Sequence, residues 1–276
     1  MRIETNERLV KRNRRTAHIL FFFSMAILAG GFIIANTQLA DPNVSSNNTS
    51  LLLALLLPWV ILPIGFVSTI ASVRMTNLWI RQPRPEAAIQ DGLKGVSKKS
   101  VLYNYYHFPA RHVLVCPQGV FAIITRFQDR RYTVEGEKWR EPGGLFNMLF
   151  RVFRQDSIRN PFVDAQKAAA HVQSLLGEAA GDVVVQPMVI FADPRASLEV
   201  SDPIFPVLYA DSKQKPNLTD YLRDLAQSQK KAQFDQKQQK QSKKGASQST
   251  DDADYGLSNE QIAQIASALD PEGVAS

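Results

Sequence analysis

The chain has 276 residues, a formal net charge of +6 and an apolar content of 45%, which together allow one soluble domain of ordinary size plus other material. A single cysteine, Cys116, excludes an intramolecular disulfide and a thiolate metal cluster built from one chain. Because Cys116 lies in an apolar run, we predict a small buried side chain there and no nucleophilic role.

Two apolar segments near the N-terminus predict a membrane hairpin. Residues 1–16 are rich in Arg and Lys, and residues 17–35 and 51–73 contain no Asp, Glu, Lys or Arg. Each uncharged segment is about long enough to cross a hydrocarbon core of roughly 30 Å as a helix. Pro58 and Pro63 are compatible with the second span, because bilayer helices tolerate proline when neighbouring groups satisfy the freed carbonyls.

The distribution of cations predicts the orientation of this hairpin. The connecting loop, residues 36–50, contains no Lys or Arg, whereas both flanks of the hairpin are basic. By the positive-inside rule the protein is multi-pass in the inner or plasma membrane, with both termini cytoplasmic and the loop outside. A cleaved signal peptide is the alternative, which the length of the first span and the lack of a clear cleavage site disfavour.

Residues 83–226 have the pattern of an α/β domain. Its centre is an apolar hairpin at residues 112–125, in which two β-branched runs flank a break at residues 117–119 and Gly119 can adopt a positive φ. Asn160-Pro161 predicts a helix start and Gly177 its end. The other predicted elements are helices at 86–96 and 217–226 and strands at 101–108, 131–134 (extending the sheet), 182–192 and 206–210.

A run of aromatic residues precedes the Asn160 helix. Phe146, Leu149, Phe150 and Phe153 recur at the spacing of one helical face. We predict that this stripe packs into the domain core. The alternative is a helix lying on the inner membrane leaflet.

Residues 227–276 have the composition of a disordered tail. The segment 227–244 is rich in Gln and Lys, and the segment 245–276 contains acidic residues but no Lys or Arg. A solvated linker is the simplest interpretation, and a polybasic contact with anionic lipid or nucleic acid is the alternative. A capping-box pattern at Ser258 predicts a short helix near 259–269 that docks on the domain or on a protein partner.

An ordered set of short motifs runs through the domain. It consists of Glu86, His112 to Val115, Gly119-Val120-Phe121, Trp139, Asn160-Pro161 and Gln166. Over residues 84–225 this set resembles the NERD (nuclease-related) domain, a branch of the PD-(D/E)XK nuclease group. The resemblance implies a central mixed sheet flanked by helices, whose hairpin carries two acidic Mg²⁺ ligands and a lysine near the attacking water.

The chain departs from that family at the positions that carry the chemistry. Arg111 and Ile124 stand where the resemblance implies the two acids, and Arg126 stands at the lysine. Mg²⁺ takes oxygen ligands, so an arginine would repel it and an isoleucine offers it no lone pair. We therefore expect no metal cofactor and no catalysis, and Glu86 and Gln166 are the residual candidates for a catalytic site. The two arginines are candidate phosphate-binding residues, because guanidinium groups suit phosphate.

The sequence thus predicts a membrane-anchored NERD-domain protein without nuclease activity. Its role would be cytoplasmic binding or scaffolding, with nucleic acid or anionic lipid as candidate partners. One alternative is an active Mg²⁺-dependent nuclease with acids relocated to Glu86, Asp129, Glu135 or Glu137. Another is a purely structural membrane component.

Overall fold

The computed structural model describes residues 1–40, 48–141, 160–241 and 256–270. Within this part of the chain there are two compact units. One is Glu7–Gln82, and the other combines Met1–Asn6 with the residues that follow Gln82. The predicted stripe at Phe146 lies outside the described residues.

The first unit is a pair of long helices, α1 (Glu7–Ala40) and α2 (Asn48–Trp79). Both are long and apolar enough to cross a membrane, over Glu7–Ile34 and Trp59–Trp79. Large apolar side chains cover their outer surfaces, among them Phe22 at 64% exposure. The predicted spans lie within these helices, and α1 also takes in most of the basic region before residue 17.

The two helices run antiparallel and make close contacts along their length. An added Cβ at Gly31 would lie 2.7 Å from the Ile61 Cγ2 atom, so the backbone of α1 approaches α2 closely there. At the other end, the Arg14 Nε atom donates a hydrogen bond to the Trp79 carbonyl at 3.2 Å. This contact satisfies a carbonyl of the last turn of α2 and brings a cation to the negative end of its dipole.

The second unit is built on a mixed six-stranded sheet. Its strands, in spatial order, are β1 (Arg2–Thr5), β2 (Val101–Asn104), β3 (His112–Cys116), β4 (Gly119–Arg126), β7 (Val185–Phe191) and β9 (Val207–Tyr209). Neighbours β2, β3 and β4 are antiparallel, whereas β1 pairs parallel with β2, and β7 and β9 continue parallel to β4. The predicted α/β domain with a central mixed sheet is confirmed.

Helices cover both faces of this sheet. They are α3 (Pro85–Gly92), α4 (Pro161–Leu176), α5 (Leu218–Gln241) and α6 (Asn259–Ala268). Side chains alternate between the faces along each strand. Val120, Ala122 and Ile124 of β4 join the core with α4 and α6. Phe121 and Ile123 join the core with α3 and α5.

A separate three-stranded sheet contains β5 (Arg131–Glu135), β6 (Lys138–Arg140) and β8 (Ser197–Ser201) in the order β6-β5-β8. The prediction that residues 131–134 extend the main sheet was therefore wrong. Only two side chains of β5, Tyr132 and Val134, are buried, and they pack into the core on the α4 side. The strand thus covers the main core as part of a second layer.

Local signals for several elements are confirmed. The Asn160 side chain accepts a hydrogen bond from the Phe162 amide, and α4 ends at Gly177 with φ 47°. The β3–β4 turn places Gly119 at φ 146°. Ser258 and Gln261 form the predicted capping box of α6.

Two features of the chain ends differ from expectation, and one agrees with a predicted alternative. The region 1–16, predicted as a basic N-terminal segment, begins with strand β1, which pairs with β2. Helix α5 extends to Gln241, beyond the predicted end at residue 226, because Gln and Lys are good helix formers. Helix α6 docks on its own domain, which is one of the two predicted alternatives: Ile265 and Leu269 are buried, and the Tyr103 hydroxyl donates to the Ala266 carbonyl at 2.8 Å.

Candidate functional site at the β3–β4 hairpin

Two of the three positions that differ from the NERD pattern, Ile124 and Arg126, lie in β4, and the third, Arg111, directly precedes β3. The last pair of the hairpin is His112 with Ile123, so Arg111 and Ile124 each lie one residue beyond that pair. By strand alternation, Ile124 and Arg126 share the face that α4 covers. The three positions are therefore close along the hairpin, and their residue types are not those of a metal site.

Ile124 is a core residue. Its exposure is 5%, it pairs with Val189 of β7, and it belongs to the apolar cluster beneath α4. A divalent cation at this position would lose its hydration without gaining an oxygen ligand from the side chain. The position now contributes to stability through apolar burial.

Arg126 ends β4 and is held by an ion pair. Its Nη2 atom donates to Asp164 Oδ2 at 2.6 Å, from the first turn of α4. The Arg126 side chain is 13% exposed and that of Asp164 is 53% exposed. Burial lowers the pKa of Arg126, while the hydrogen bond and charge of Asp164 oppose that shift. Binding of a phosphate by Arg126 would therefore compete with Asp164.

The opposite face carries a chain of buried hydrogen bonds. Nδ1 of His112 lies 2.7 Å from Asn104 Oδ1, and the Asn104 Nδ2 atom donates to Thr5 Oγ1 at 3.0 Å. This orientation places the ring proton of His112 on Nδ1, since Asn104 offers it an acceptor. Burial lowers the pKa of His112 to about 3, and the nearby charge of Arg111 adds to the shift. His112 is therefore neutral at physiological pH.

Glu86 belongs to this opposite face as well. It lies in the first turn of α3, and its Oε2 atom accepts a hydrogen bond from the Tyr105 hydroxyl at 2.8 Å. The Tyr105 ring in turn lies 5.0 Å from the His112 ring, edge to face. Glu86 thus joins a structural network with α3, and the sheet separates it from the side of Ile124.

The other acids considered for a relocated metal site lie apart. Asp129 lies 3.5 Å from an Arg195 nitrogen, and Glu135 lies 3.4 Å from one of Arg140. Glu137 is exposed in the turn between β5 and β6. Among the described residues, no group of three or more His, Cys, Asp or Glu side chains comes together at distances suited to a metal ion.

Two other residues identified in the sequence have clear positions. Gln166 is exposed on the outer surface of α4, away from the sheet. Cys116 is fully buried, as predicted, and burial raises the pKa of its thiol to about 12. A thiol with that pKa carries almost no thiolate at neutral pH, as is typical of a cysteine that packs in a core.

Sequence reasoning missed Asp164, Asn104 and Thr5, which hold Arg126 and His112. One sequence feature indicated a structural role for Asp164: it lies in the first turn of a helix, where the helix dipole favours an acid. That signal did not identify Arg126 as its partner, because 38 residues separate the two in sequence. Thr5 had no signal, since its strand is short and precedes a long apolar helix.

The chain was compared with protein-family models, curated proteins and solved structures, and none matches. The NERD resemblance therefore stays a prediction that rests on the ordered motifs.

Proposed function

We propose that the chain is a membrane-anchored protein whose cytoplasmic α/β domain is NERD-like and has no nuclease activity. The domain acts in binding or scaffolding next to the membrane. Nucleic acid and anionic lipid are the partners that the formal net charge of +6 on the whole chain suits.

The observation that carries the proposal is which side chains occupy the positions expected to bind the metal. Ile124 is packed into the core and Arg126 is paired with Asp164, so the face that would hold Mg²⁺ presents apolar side chains and a cation. Both features oppose a bound divalent ion. The mixed sheet with helices on both faces supports the NERD-like fold, and the two long apolar helices support the anchor.

The test is metal binding and DNA cleavage by the purified full-length chain in detergent. We expect neither specific Mn²⁺ binding by electron paramagnetic resonance nor Mg²⁺-dependent nicking of a plasmid. Cleavage that disappears in Glu86→Gln or Asp129→Asn would instead establish the nuclease with relocated acids.

A gain-of-binding variant tests whether the hairpin retains the geometry of a metal site. Arg111→Asp with Ile124→Glu introduces two carboxylates just beyond the His112–Ile123 pair and should gain Mn²⁺ binding. The matched control is Arg111→Asp with Ile123→Glu, because Ile123 is equally buried but faces α3 and α5. Both variants bury a carboxylate and should lose stability. Equal Mn²⁺ binding by the two would contradict the proposed geometry.

A further inference from the structure

The first turns of α1 have two faces of opposite character. Val10 and Ala17 are buried, at 2% and 0% exposure, and Arg14 between them donates to the end of α2. The other face carries four exposed cations, which we call the cationic stripe: Arg8, Lys11, Arg12 and Arg15. Their spacing of i, i+3, i+4 and i+7 places all four on one side of the helix. The stripe therefore points away from α2.

The same face becomes apolar directly after the stripe. Ile19, Phe22 and Phe23 are 58%, 64% and 56% exposed. Ile19 follows Arg15 by one helical turn, a rise of about 6 Å. A single face of α1 thus changes from cationic to apolar within about one helical turn.

The C-terminal end of α2 indicates the depth in the bilayer at which the surface of α1 changes from cationic to apolar. The Arg14–Trp79 hydrogen bond brings Trp79 level with the second turn of α1. Tryptophan is enriched at the boundary between headgroups and acyl chains. The cationic stripe consequently lies at headgroup level if α1 crosses the membrane. Glu7 is the one acidic residue in the sequences of the two helices, and it precedes the stripe.

We infer that the cationic stripe is a binding site for the headgroups of anionic phospholipids in the cytoplasmic leaflet, with their acyl chains against Ile19, Phe22 and Phe23. Guanidinium groups donate paired hydrogen bonds to a phosphodiester, and clustered cations next to a span attract anionic lipid. The inference rests on the proposed membrane anchor. It adds to that anchor a defined lipid class and a defined face of α1.

The test measures which lipids the full chain retains. The chain is reconstituted in vesicles of phosphatidylcholine with a minority of phosphatidylglycerol, extracted, and analysed by native mass spectrometry. The wild-type chain should retain phosphatidylglycerol preferentially. In the variant R8Q/K11Q/R12Q/R15Q, the ratio of retained phosphatidylglycerol to retained phosphatidylcholine should fall by about fivefold for each charge removed. The control K98Q/K99Q/K213Q/K215Q removes four exposed lysines from the domain and should behave as wild type.

Failure of the inference differs from failure of the anchor. A chain that does not float with pure phosphatidylcholine vesicles would overturn the anchor and, with it, the lipid site. A chain that floats but retains both lipids equally, or a stripe variant that keeps the preference, would overturn the lipid site alone. Release of phosphatidylglycerol by a short DNA duplex would assign the stripe to nucleic acid and also overturn it.

Discussion

At the scale of single residues, the positions that differ from the proposed nuclease-related pattern share one physical property. A metal site needs clustered carboxylates, whose mutual repulsion the cation offsets. In this chain the same face holds an apolar side chain at Ile124 and an arginine that meets one carboxylate, Asp164. Such a face is stable without a cation. The sequence identified Ile124 and Arg126, but only the fold could show that Asp164 meets Arg126.

We predict that Asp164→Ala destabilises the domain by about 1–2 kcal/mol, because it leaves the buried guanidinium of Arg126 without its carboxylate. Half-exposure of Asp164 keeps the cost well below that of breaking a fully buried pair. Hydrogen exchange of the β4 and α4 amides in the detergent-solubilised chain measures the change. Asp182→Ala, at an exposed position, is the control and should change stability by less than about 0.5 kcal/mol. Equal effects would mean that the ion pair contributes nothing.

At the scale of elements, the sequence predicted those with a strong local period. The β3–β4 hairpin and α4 each bury a regular apolar pattern, and their turn and cap residues agree with it. β1 and β8 were missed, because they are short edge strands with charged residues and half-exposed side chains. Their identity as strands depends on the neighbour with which they pair, and a local pattern does not contain that information.

The α1–α2 pair offers a test at this scale through two adjacent glycines. An added Cβ at Gly31 meets the Cγ2 atom of Ile61, whose β-branched side chain has little freedom to move, whereas Gly30 has no atom within 4 Å. Gly31→Ala should therefore lower the thermal midpoint of the full chain in detergent, at a cost of about 1–3 kcal/mol. Gly30→Ala should leave it unchanged or raise it slightly, since alanine favours the helix. A lower midpoint for Gly30→Ala alone would contradict this packing.

At the scale of the whole molecule, the important feature is that the chain passes between its two units at two points within those of residues 1–141 that the structure describes. It leaves the sheet at Asn6, runs through α1 and α2, and returns at Pro83. Because β1 pairs with β2, the N-terminus and the domain must lie on the same side of any membrane that the helices cross. An even number of crossings satisfies this requirement. The positive-inside pattern predicts the same arrangement from an independent property of the sequence.

The last prediction concerns this topology. In a Cys116→Ser background, a single cysteine at Asn43, in the loop between the spans, should react with a membrane-impermeant maleimide added to intact cells. Cysteines at Lys94, which is exposed on the domain, and at Ser247, in the tail, should react only after the membrane is permeabilised. Reaction at Lys94 in intact cells would reverse the orientation. Reaction at Asn43 and Lys94 together would be incompatible with two crossings. It would imply instead that α2 does not span the bilayer, whether the first apolar segment is cleaved or crosses alone, and in either case β1 could not remain paired with β2.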